Sequence, residues 1–230
     1  MEKKVGRLML NKKMVTSAIL LGMVGTGFAG QAFAAEGDMQ TVDGSKGENS
    51  ADVITRGNLG KIDNTDPNTP LPDGDDRWIN VTLPTEVIFE SEDEATITSP
   101  KNYQIINKSG RPVKVDVDTY EISGGKGVPA LTQLNLKRTT GYEGNEIVPL
   151  VATKAEVQKY TINQELVRLA NNEGKFADKT DADRATNFEF TGTMDKDALS
   201  EKQNYVESKL SFKFTALRMD GKTVEEAKTN

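Results

Sequence analysis

Downstream of residue 77 apolar side chains recur at every second position. Ile79, Val81 and Leu83 alternate with polar neighbours, and Val87 and Phe89 resume the alternation after Pro84, which cannot donate to a strand ladder. Val113, Val115 and Val117 alternate with Lys114 and Asp116 and lead toward Tyr120 and Ile122, the clearest strand in the chain. Shorter runs of the same kind cover 95–98, 103–107, 131–136 and 147–152. Phe188 and Phe190 mark another over 187–192, and Leu210, Phe212, Phe214 and Ala216 face one way within 205–219. Turn-forming residues punctuate these runs, notably Ser109-Gly110-Arg111-Pro112 and Gly124-Gly125-Lys126-Gly127.

One segment has a different spacing. Within 154–172, Ile162, Leu166 and Leu169 fall at i, i+4 and i+7, with Gly174 beyond the end, which predicts a short amphipathic helix and leaves a strand pair as the alternative. Eight or more short strands separated by turns, with one short helix, predict a mainly β chain. The expected architecture is an antiparallel β-sandwich, Ig-like or jelly-roll-like.

The flanks lack this periodicity. Residues 36–76 are mostly Gly, Asp, Asn, Ser, Thr and Pro with scattered apolar positions, and read as a flexible acidic linker that buries too little to offset its ordering entropy. Residues 220–230 read as a polar, frayed tail. The predicted organisation is thus a leader over 1–35, the linker over 36–76, a sandwich over 77–219 and the tail.

The leader has the layout of a secretory signal peptide. Lys3, Lys4, Arg7, Lys12 and Lys13 precede an uncharged stretch over 14–28, and Ala32-Phe33-Ala34 supplies small residues for cleavage near Ala34 or Ala35. The apolar stretch is too short for a permanent membrane span, which needs about 20 residues. Removing the leader changes the formal net charge from −6 to −10, since it holds five basic residues and one acidic one. An acidic chain is a poor match for nucleic acid.

The sequence contains no cysteine and no histidine. Disulfides, Ser-His-Asp and Cys-His catalysis and His-ligated zinc are therefore excluded, and the predicted catalytic set is empty. Paired carboxylates would still suffice for glycoside hydrolysis, but acids concentrate in loops such as 90–94, where solvated surface charge is the default. Two Asp groups offer the hard oxygen donors that calcium takes: Asp63, Asp66, Asp73, Asp75 and Asp76 in the linker, and Asp178, Asp181 and Asp183 downstream. Neither group matches a twelve-residue calcium loop, and no cofactor is otherwise expected. Trp78, Tyr103, Tyr120 and Tyr142 are candidates for stacking on sugar rings, with core packing as the competing use. Leu83-Pro84-Thr85-Glu86 lacks the following Gly of a sortase signal.

Three stretches carry a resemblance. Ile79 to Phe89 (INVTLPTEVIF), Ile97 to Asn107 (ITSPKNYQIIN) and Pro112 to Val115 (PVKV) resemble a pattern in exported surface β-sandwich proteins of Firmicutes, loosely the WxL-type and the TasA or camelysin-like proteins. The likeness covers about 45 residues. It implies a secreted or cell-surface role in a Gram-positive cell wall or extracellular matrix, through self-association or binding to other surface proteins. Binding of cell-wall polysaccharide is the alternative. No terminal Trp-x-Leu pair is present, so the peptidoglycan-binding element of the WxL proteins has no counterpart.

Overall fold

The computed structural model describes residues 41–47, 50–53, 59–200 and 204–229. The predicted leader and cleavage site lie outside the described residues. Among the described residues there are nine strands: β1 (Val81–Thr82), β2 (Thr96–Ile97), β3 (Tyr103–Asn107), β4 (Val113–Gly124), β5 (Leu131–Arg138), β6 (Ile147–Val151), β7 (Lys159–Leu169), β8 (Ala185–Met194) and β9 (Glu207–Ala216). They form two antiparallel sheets. The larger runs β1-β3-β8-β5-β6 with β2 also on β8, and the smaller runs β7-β4-β9. The mainly β expectation therefore holds, and the sheets enclose one main core as a sandwich.

The central strand of the small sheet shows how sequence sets the packing. Val113, Val115 and Val117 point inward and are fully buried, and the inward set then shifts to Tyr120 and Ile122. A register shift between Val117 and Thr119, present toward both β7 and β9, accounts for the change of phase. Opposite lie Ile105, Leu134, Leu136, Phe188 and Phe190 from the large sheet, each 2% exposed or less. A fully buried aliphatic or aromatic side chain of this kind contributes about 1.5–3 kcal/mol.

The helix predicted within 154–172 is instead β7. Val115 pairs with Val167 while Asp116 pairs with Glu165, and a second irregularity falls between Val117 and Thr119. These insertions stretch a two-residue period, so Ile162, Leu166 and Leu169 acquire the spacing of a helical face while lying on a strand. Asn163, with φ of 49°, sits at the second irregularity. The one α-helix among the described residues is α1 (Val224–Lys228), in the segment read as a frayed tail. Thr223 and Glu226 form a capping box at its start, and Glu226 also reaches back to Arg168 on β7.

The linker reading also requires correction downstream of residue 62. Residues 63–79 lie against the sandwich as a strap, with Leu71 2% and Trp78 0% exposed. Aspartate and asparagine side chains supply backbone bonds that strand periodicity does not. Asp63 accepts from the Thr65 N–H at 3.0 Å and Asp66 from the Asn68 N–H at 2.9 Å, closing two tight turns. Asn172 donates to the Thr65 carbonyl at 2.7 Å, and the Gly110 N–H donates to the Asn64 carbonyl at 2.7 Å. Among the described residues no helix is long and apolar enough to cross a membrane.

Candidate functional site

The two sheets are unequal, and the shortfall exposes core. β9 ends the small sheet, pairing with β4 on one side and with no strand on the other among the described residues. Its inward-facing Leu210, Phe212 and Phe214 are only half-buried, although they contact the same core that buries Val113, Val115 and Val117 completely. An open groove of about 1030 Å³ runs beside this strand, floored by Phe188, Phe212, Leu210 and Leu131.

Residues 83–91 form the groove's opposite wall. Val87 and Phe89 turn inward, with Phe89 5.6 Å from Phe190 between ring centroids, while Ile88 points away from the core. Glu90 is bridged antiparallel to Thr98, but residues 83–89 belong to no strand. Between Pro84 and Phe89 the backbone hydrogen bonds among the described residues involve Ile88 alone, whose N–H donates to the Tyr103 hydroxyl at 2.8 Å and whose carbonyl accepts from it at 3.4 Å. Leu83, Ile88 and Tyr205, at 37%, 57% and 52% exposure, place large apolar side chains around the opening. A groove thus lies between an edge strand and a second stretch of backbone, each with unused hydrogen-bonding groups among the described residues, an arrangement that accepts an added strand.

The rim is acidic. Glu86, Glu90, Glu94 and Glu207 line it, all exposed and none in an ion pair among the described residues. The lining's one basic side chain, Lys209, lies 3.6 Å from Glu121. The loop carrying Glu94 is held by Asp93, which accepts from the N–H groups of Thr96 at 2.7 Å and Ala95 at 3.0 Å. These bonds, that of Thr96 foremost, hold the Asp93 carboxyl down at about 2.

The calcium candidates are not brought together. Among the described residues no three acidic side chains gather as metal ligands. Asp63 bonds to Thr65, first through its hydroxyl, which lowers the carboxyl's pKa. Asp66 closes its own turn, and Asp75 holds Arg77 at 2.6 Å, which lowers its pKa as well. Asp76 is exposed. Asp73 lies apart, its side chain 4% exposed and 3.4 Å from the buried Nε of Arg111. Burial raises the Asp73 pKa against the pull of Arg111, and burial lowers that of Arg111. In the second group Asp178, Asp181 and Asp183 are exposed, and Asp178 lies 3.8 Å from Lys179.

The aromatic candidates are also dispersed. Trp78 is buried, donates its indole N–H to the Pro72 carbonyl at 2.9 Å and lies under the Arg111 guanidinium at 4.5 Å. Tyr120 is 1% exposed and donates to Ser208 at 3.0 Å; burial pushes its hydroxyl up to about 12. Tyr142 stacks on Phe176 at 5.1 Å, and Tyr103 packs 5.7 Å from Phe188. No coplanar exposed platform forms from these four.

Two features escaped the sequence reading. The groove depends on strand order, which alternation does not encode, although exposed Ile88 beside Val87 and Phe89 was a visible excess of apolar residues. The Asp73–Arg111 pair joins a presumed linker to a presumed turn, and neither segment's composition signals burial. In comparison with known proteins, the chain matches no family model, no curated protein and no solved structure.

Proposed function

We propose that this chain is an exported, non-catalytic interaction protein of a Gram-positive cell surface or matrix, which engages an extended segment of another polypeptide along β9. The observation that carries this reading is the half-buried inner face of β9 beside a groove whose two walls retain unused backbone groups. Pairing with such an edge gains main-chain hydrogen bonds and buries the apolar floor. Export is supported by the basic, apolar, small-residue order of positions 1–35. The interaction reading is preferred to sugar binding because Trp78 and Tyr120 are consumed by the core.

A photo-crosslinker placed at Ile88 in cells tests the proposal, with Lys179, outside the groove, as the control position. Protein adducts at Ile88 that are absent at Lys179 are expected. Adducts at neither position, or only with polysaccharide at Ile88, would overturn it.

A further inference from the structure

The groove's chemistry also selects among extended segments, an inference that rests on the function proposed above. Its floor is apolar, and its rim carries four exposed glutamates against Lys209, whose ammonium already faces Glu121. A strand laid along β9 sends alternate side chains to opposite faces. One set enters over Phe212 and Leu210, and charges elsewhere on the segment meet the rim. A positive segment gains from this field, whereas a negative one meets like charge.

The chain's own upstream segment is a poor occupant on this ground. Residues 36–62 carry five acidic side chains and three basic ones, so a second copy would bring net negative charge to a negative rim. We infer that the groove takes a basic extended segment of a different protein, with apolar residues at alternate positions and lysine or arginine between or beside them, as an added strand on β9. Glu86, Glu90 and Glu207 then act as specificity-determining residues, while the apolar floor supplies affinity common to many segments.

The test uses the purified full chain and three synthetic peptides: valine alternating with lysine, valine alternating with glutamate, and a scramble of the first that breaks the alternation. Affinity is measured by calorimetry and the location by hydrogen exchange. The lysine peptide is expected to slow exchange in both β9 and 85–89. It should bind about tenfold more tightly than the glutamate peptide, as two or three partly screened charge pairs would give. Roughly 1 M salt should close that gap, since screening then acts within a few ångströms. The triple variant Glu86→Lys, Glu90→Lys, Glu207→Lys changes only exposed side chains and should reverse the preference.

Equal binding of the lysine and glutamate peptides, both protecting β9, would overturn the charge selection and leave the edge-binding reading standing. Tight binding of the lysine peptide or its scramble without protection of β9 would overturn strand addition. No binding by any peptide, together with no adducts at Ile88 in cells, would remove the functional reading itself.

Discussion

Replacing Arg111 by methionine is the most demanding check on the strap. Arg111 is fully buried, stacks on Trp78, donates to the Pro67 carbonyl at 2.9 Å and lies 3.4 Å from Asp73, whose side chain is 4% exposed. Methionine keeps the apolar stem over Trp78 but leaves the Asp73 carboxylate buried without its ion-pair partner, with only the more distant Arg218 charge acting on it. Removing one partner of a buried pair costs about 3–5 kcal/mol. With a urea slope of about 2 kcal/mol per molar, the midpoint should fall by roughly 2 M. The 3.4 Å contact lacks hydrogen-bonding geometry, and Asp73 Oδ1 has no other bond. The pair's attraction therefore recovers little of its desolvation, and Asp73→Leu combined with Arg111→Met should lie within about 1 kcal/mol of the parent or above it.

The pH dependence adds a second readout. Because burial raises the Asp73 pKa above 3.8, the folded state holds a proton that the unfolded state has released just above that value. Stability from this group therefore falls as pH rises through the interval between 3.8 and the raised value. Losing Arg111 removes the main effect opposing the rise, so Arg111→Met should extend that interval upward. A cost below about 1 kcal/mol for the single variant, or a double variant as unstable as the sum of the singles, would refute the reasoning.

Two further perturbations probe other joints of the fold. Glu226 bonds to Arg168 at 2.6 Å, and that bond foremost holds its carboxyl at about 2, well below 4.5. Burial opposes the Arg168 charge, but Glu165 and Glu226 outweigh it and raise its pKa. The Glu226 contribution is present above pH 4.5 and lost as pH falls toward 2. Since Glu226 is 44% exposed, Glu226→Gln should cost about 1 kcal/mol or less at neutral pH and nothing near pH 2, read by thermal melts. Gly192 on β8 pairs with both Ile97 and Leu134, and a Cβ there would clash with the Gln133 carbonyl oxygen. Gly192→Ala should destabilise by about 1–3 kcal/mol in urea, and a neutral result would contradict the close approach.

Alternation made the main strands legible, because the inward face of β8 and β9, and of β4 as far as Val117, is written at every second residue. It failed where backbone irregularities changed the period. Two insertions in β7 turned a strand into the spacing of a helix, and Asp-capped turns ordered the strap without apolar periodicity. The α1 capping box was present in sequence as Thr223 and Glu226, but its docking depends on Arg168, 58 residues away from Glu226. The site was less legible still. Leu210, Phe212 and Phe214 were identified as one face, but their incomplete cover follows from β9 lying at the end of its sheet.

Native-state hydrogen exchange on the isolated full chain tests that open edge most directly. β4 is flanked by β7 and β9, whereas β9 has a neighbour on one side among the described residues. The amides of β9 directed away from β4 should exchange far faster than those of β4, together with the amides of 85–87. Uniform slow exchange across β9, matching β4, would mean that the edge is already covered and would contradict an unfilled strand position.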